Sequence, residues 1–269
     1  MTAIKRLHEV SIEDAAPAPI KTAAADGPAP AWVETPTSKK IYQAILHAQT
    51  TPTLVLIYGA PGVSKTTTAA RYVEERDPRW HERGAYHINL LGVKSSASML
   101  QTIHAVIRTP RYIDAYRNVT LMRSLANCLE PGSLLILDEA QSLRPDALDA
   151  VRFFLDERDV GLVLMGNEIV YGAIASKSAR AHFAQLSSRI GLKLHLPHPT
   201  EADADAVLKA WGVTDDAGRE YGRKIALGPG GLRQLAQLLR HARTAAAATR
   251  RSLDHRLMHA AASALGLIE

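Results

Sequence analysis

The stretch Gly59-Ala60-Pro61-Gly62-Val63-Ser64-Lys65-Thr66 most narrows what this chain can fold into, because it separates two segments of opposite character. Before it, Thr53-Leu54-Val55-Leu56-Ile57-Tyr58 is β-branched and aliphatic with no interior charge, as in a strand buried on both faces. After it, Thr66-Thr67-Thr68-Ala69-Ala70-Arg71-Tyr72-Val73 can continue as a helix. Strand, glycine-rich loop and helix start are the setting of a phosphate-binding loop. Loop amides and the helix N-terminus have no intrahelical partners there, and the helix dipole favours negative charge. The expected nucleotide cradle is therefore Gly59, Ala60, Pro61, Gly62, Val63, Ser64, Lys65, Thr66 and Thr67, with Lys65 on the β- and γ-phosphates and the Thr66 hydroxyl on Mg²⁺. Ser64 stands where such loops carry a second glycine. At positive φ a serine costs about 1–2 kcal/mol there; at negative φ it costs nothing.

A second motif fits the first. Leu134-Leu135-Ile136-Leu137 is an aliphatic strand that delivers Asp138 and Glu139 at its C-terminal end, the edge where open α/β sheets bind ligands. Asp138 is expected to hold Mg²⁺ through water, and Glu139 to orient and polarise the attacking water. By itself a pair of acids ending a strand is equally a solvated turn. Together the two motifs describe a nucleoside triphosphate site.

The 269 residues and their 46% hydrophobic content support one large or two modest domains. No run approaches eighteen apolar residues and no charged-then-apolar segment opens the chain, so a soluble, cytoplasmic protein without an export signal is expected. Cys128 is the single cysteine and cannot pair within the chain. The net charge of +5 permits nucleic-acid binding without establishing it. Residues 1–32 read as an Ala/Pro-rich disordered tail. Strands are expected over 53–58, 85–91, 134–137, 159–165 and 190–196. Helices are expected from Thr35-Pro36-Thr37 onward, from Ser95 or Ser96 to Ile107, and over 113–129. Past Pro197 only helices are indicated: from Thr200-Glu201, over 216–227, 232–243 and 250–265. This gives an α/β nucleotide-binding core over 33–197, built on a five-stranded parallel sheet, and a small all-helical lid with a basic C-terminal helix over 198–269.

That organisation resembles the AAA+ ATPases from about Val33 to His241, and the resemblance supplies further candidates. Asn167, after Met165-Gly166, is similar to the sensor 1 residue on the γ-phosphate or lytic water; alternatively it caps the next helix. Arg189, in Ser187-Ser188-Arg189, matches the arginine finger that acts on a neighbouring subunit's nucleotide, with Arg180 as the fallback; otherwise it is a surface arginine. Arg233, in Gly230-Gly231-Leu232-Arg233, resembles sensor 2, or is incidental to an amphipathic helix.

Within that superfamily the chain resembles the DNA transposition ATPases of the phage Mu transposition protein B type. The residues that carry this are Val33-Glu34-Thr35, the Gly59 to Thr66 loop, Asp138-Glu139-Ala140-Gln141 and Leu164-Met165-Gly166-Asn167. The resemblance implies an ATPase using ATP and Mg²⁺ that forms a homo-oligomeric helix on duplex DNA, presents the DNA to a transposase and disassembles on hydrolysis. DNA contact would be sequence-independent, through phosphates. Candidates are Lys94 and Ser95 after the second strand, and Arg108, Arg111 and Arg117 beyond; isolated basic residues there are also commonly just solvated. Arg240, Arg243, Arg250, Arg251 and Arg256 form a stripe suited to DNA or an acidic protein, or to the wet side of a lid helix. Two other readings remain: a loader or secretion-type ATPase acting on a protein complex, and a nucleotide-gated scaffold with little turnover.

Overall fold

The computed structural model describes residues 30–75, 84–107, 118–174, 184–249 and 251–267. Among them five strands, β1 (Leu54–Gly59), β2 (Ala85–Asn89), β3 (Leu134–Asp138), β4 (Gly161–Gly166) and β5 (Ile190–Leu196), form one parallel sheet in the order β2-β3-β4-β1-β5. The chain leaves β1 for the far edge at β2 and works back, so β1 ends at a crevice of the kind where such sheets bind ligands. β1, β3 and β4 are buried throughout, which is why they read as unbroken aliphatic runs; β5, at the edge, alternates exposed with half-buried.

Alternate residues serve the two faces. Leu54, Leu56, Leu135, Leu137, Leu162 and Leu164 belong to one cluster, shared with α3 (Ser96–Ile107), α4 (Asn118–Cys128) and α5 (Pro145–Arg158). Val55, Ile57, Ile136, Val163 and Met165 belong to the other, with α1 (Pro36–Thr50) and α2 (Lys65–Glu74). Two short helices, α6 (Glu168–Ile174) and α7 (Ala184–Ser187), lie between β4 and β5. Beyond the sheet come α8 (Glu201–Ala210), α9 (Asp216–Ala226), α10 (Gly231–Thr249) and α11 (His255–Ala264). They close on a third cluster that includes Leu208, Trp211, Leu235, Leu239 and Met258. No helix among the described residues is long and apolar enough to cross a membrane.

Several boundaries differ from the expected ones for local reasons. β2 stops at Asn89, whose Oδ1 accepts the Leu91 amide at 2.9 Å and turns the chain before Gly92. The fourth strand starts at Gly161 rather than 159, because Asp159 adopts φ 50° and ends α5, a helix not singled out beforehand. α10 runs on to Thr249 through Ala245 to Ala248, the residues of best helix propensity. α11 starts only at His255, where Asp254 accepts the Leu257 amide at 2.9 Å as N-cap. Of the helix expected over 113–129, the part from Asn118 is described.

The first lid helix is tied to the core through a buried carboxylate. Asp203 of α8 accepts the Thr37 amide at 2.8 Å and the Thr37 hydroxyl at 2.6 Å, at the first turn of α1. It also accepts the Thr200 amide and hydroxyl, each at 2.8 Å, at the start of its own helix. Burial pushes its carboxyl up, but these bonds from Thr37 and Thr200 outweigh burial and hold it below the usual range.

Candidate functional site

The loop between β1 and α2 is shaped by close backbone approach. A side-chain carbon at Gly59 would lie 2.0 Å from the Leu196 carbonyl oxygen, which instead accepts the Ala60 amide at 2.9 Å. Gly62, at φ 77°, lies so near the lid that such a carbon would be 2.5 Å from the Gly230 carbonyl oxygen. The Leu232 amide of α10 donates to the Gly62 carbonyl at 3.0 Å, so lid and loop meet backbone to backbone. Val63 is buried and pins the loop to the core. Ser64 adopts φ 70°, the left-handed region, so the open question about its backbone is settled on the costly side.

Lys65 donates from Nζ to the carbonyls of Gly59 at 2.9 Å and Ala60 at 2.8 Å. Burial lowers its pKa, against the pull of Asp138, Glu139 and Glu168, while Arg233 lowers it further. Asp138 is almost fully buried at the end of β3. Its Oδ1 accepts the Glu139 amide at 2.9 Å, and its Oδ2 lies 3.2 Å from His87 Nε2 on β2. Burial raises its pKa, but hydrogen bonds from His87 and from the Thr66 hydroxyl more than offset this and keep it ionised at neutral pH. Thr66 and Asp138 thus already meet, as hard oxygen donors of the kind Mg²⁺ selects. Glu139 takes a left-handed backbone, φ 59°, and its carboxylate accepts a hydrogen bond from Gln141 Nε2.

A cavity of about 410 Å³ joins these groups to the lid. Lys65, Thr66, Glu139 and Arg233 line it, so sheet edge and lid share one chamber. Trp32, Val33, Val207 and Trp211 are among its apolar walls. Two of the three tryptophans of the chain are there. Pro30, Ala31 and Trp32 also line it, although the tail was expected to reach residue 32. These aromatic walls and His87 escaped the sequence reading. A tryptophan pair outside the strands was the available signal for the first; nothing in the sequence pairs residue 87 with 138 before the register His87↔Ile136 is known.

Asn167, Arg189, Lys94 and Ser95 do not line this cavity. Asn167 Oδ1 accepts the Ile169 amide at 2.9 Å, capping α6, which leaves its Nδ2 as a donor. Arg189 lies at the opposite end of β5 from the loop; at about 3.3 Å per residue, the strand puts some 20 Å between them. Its guanidinium grips Asp156 of α5, Nε to Oδ1 at 2.7 Å and Nη2 to Oδ2 at 3.1 Å. Lys94 is exposed on the loop after β2, at the sheet edge that carries the cavity. The Ser95 hydroxyl is engaged with Ser98 at the start of α3. Arg108, Arg111, Arg117, Arg180 and Arg250 lie outside the described residues.

Comparison with known proteins bears on both halves of the chain. Residues 188–265 match the family "Mu B transposition protein, C terminal", and residues 37–173 match "AAA domain". The "Mu-like prophage FluMu DNA transposition protein B" of Haemophilus influenzae is 32% identical over 213 residues, 78% of this chain and 71% of that protein. The "ATP-dependent target DNA activator B" of Escherichia phage Mu is 32% identical over 213 residues, 78% of this chain and 66% of its own length. The chain thus spans about two thirds of these relatives. Among solved structures, the Aeropyrum pernix ORC2 protein has the same fold, with a TM-score of 0.63 and 19% identity over 84% of this chain and 66% of that one.

Proposed function

Because this chain belongs to the Mu B transposition protein family and carries its AAA domain, we propose that it is an ATPase whose output is regulated binding of duplex DNA. In this reading it assembles on DNA with ATP, hands that DNA to a transposase and comes apart on hydrolysis. The observation that carries it is the shared chamber. Lys65, Thr66 and Glu139 from the sheet edge face the same 410 Å³ as Arg233 from the lid, so one triphosphate can contact both parts.

The chemistry follows from the groups. Loop amides and Lys65 take the phosphate oxygens, exchanging the Gly59 and Ala60 carbonyls for the ligand. Mg²⁺, where Thr66 and Asp138 hold it, supplies charge compensation on the phosphates. Glu139 orients and polarises the attacking water, and Asn167 offers its Nδ2 to the γ-phosphate. The adenine ring suits the apolar walls formed by Trp32, Val33, Val207 and Trp211. Arg189 is too far along β5 to serve its own nucleotide, which supports a role on a neighbour's and active sites shared between protomers. The basic surface, Lys94 included, takes the DNA backbone.

One observation favours a slower variant of this reading: the serine at φ 70° strains the phosphate loop, as suits a timer more than a motor. Phosphate release measured with and without duplex DNA, alongside sedimentation of the protein with ATP and DNA, tests the proposal. DNA-stimulated release and ATP-dependent assembly are the expected results. A protein that stays monomeric with both ligands contradicts it, and stimulation by a protein partner with no effect of DNA points to a loader instead.

A further inference from the structure

We propose that Gln141 is a positioning residue for hydrolysis: from a slot that Gly166 leaves open, its amide holds the Glu139 carboxylate beside the turn that carries Asn167. This rests on the reading of Glu139 as the group that polarises the attacking water.

Gln141 lies in the 3₁₀ turn Ala140–Ser142, directly after β3, and that turn packs on the end of β4 and on α6. Its Nε2 donates to Glu139 Oε2 at 2.5 Å, which leaves Oε1 of the carboxylate to accept a proton from water. The amide reaches across Gly166, the last residue of β4. A side-chain carbon there would come within 2.4 Å of Gln141 Oε1 and 2.4 Å of Val170 Cγ2. Gly166 is not among the glycines with positive φ, so space and not backbone conformation calls for glycine at this position. Gln141 Oε1 is buried and has no hydrogen-bond partner among the described residues. A buried acceptor of that kind calls for a donor, and the Asn167 amide or a water hydrogen can fill it.

The left-handed backbone of Glu139 fixes its Cα but leaves the side-chain torsions to be set by contacts. A neutral amide can set them without competing for the proton that the carboxylate must take. Misplacing a catalytic group by about 1 Å costs on the order of 10² in rate, so such an anchor governs turnover and leaves nucleotide affinity alone.

The test uses the whole chain with ATP and duplex DNA, comparing single-turnover phosphate release with equilibrium binding of a fluorescent ATP analogue. Gln141→Leu should slow release about 10–100-fold and leave affinity within about twofold. Gly166→Ala fills the slot and should slow release comparably. The double variant Gln141→Ala/Gly166→Ala should be no slower than Gln141→Ala alone, because both changes strike one contact. Release by Gln141→Leu within about twofold of the parent, while Glu139→Gln is inactive, overturns the proposal. So does a parallel fall of rate and affinity, which marks a role in folding only. Parental turnover by Glu139→Gln removes the role of Glu139 and this inference with it. If Gln141→Leu does not fold, Gln141→Ala decides in its place: slower release at unchanged affinity supports the anchor, and an unchanged rate refutes it.

Discussion

Ser64, on the loop after β1, and Glu139, at the end of β3, both adopt left-handed backbone conformations, φ 70° and φ 59°. For Ser64 the magnitudes can be set against each other. Relief of positive φ by glycine is worth about 1–2 kcal/mol, and the extra freedom of glycine in the unfolded chain returns roughly 0.5–1 kcal/mol. Ser64→Gly should therefore stabilise the protein by about 0.5–1 kcal/mol, read as a higher urea midpoint at unchanged slope. A lower midpoint would show that the hydroxyl contributes more than the strain costs. The serine itself was visible in the motif, but its φ was not, because the same letters suit either backbone. Lys65, Thr66, Asp138 and Glu139 were legible because each follows a strand whose end fixes its place. His87 and Trp211 were not, since their positions arise from the pairing of β2 with β3 and from the packing of the C-terminal helices.

The strands were legible because burial on both faces leaves an unbroken aliphatic run, and helix termini less so, because single caps move them. α11 shows this: a helix is expected over 250–265, and Asp254, as N-cap, delays its start to His255. The joint between α1 and α8 was not legible, since Thr37 and Asp203 are 166 residues apart. Asp203→Ala removes acceptors from two helix starts, each worth about 0.5–2 kcal/mol, and should destabilise the protein by about 2–4 kcal/mol in urea at pH 7. The folded carboxyl lies below its unfolded value, so its contribution is present above about pH 4 and is lost as pH falls through the folded value. The gap between parent and variant should therefore narrow in acid. A gap that stays constant down to low pH would show that the charge is not what joins lid to core.

Across the molecule, a net charge of +5 and an exposed Lys94 at the sheet edge that carries the cavity suit the proposed contact with DNA phosphates. Lys94→Ala should weaken DNA binding equally for all sequences and lower the salt slope by about one. An unchanged slope would remove Lys94 from the interface. The Ser95 hydroxyl already caps α3, so its loss should register in stability before DNA affinity.

Active sites completed by a neighbouring subunit are the centre of the proposed function, and a mixing experiment tests them directly. Glu139→Gln and Arg189→Ala should each be inactive alone, the first without its base and the second without the finger it lends. Mixed in equal amounts with ATP and duplex DNA, they should recover roughly a quarter of the parental hydrolysis, because head-to-tail assembly sets intact Arg189→Ala pockets beside Glu139→Gln subunits that still carry Arg189. A mixture as inactive as its components, or an Arg189→Ala protein that hydrolyses ATP at the parental rate, would contradict the account.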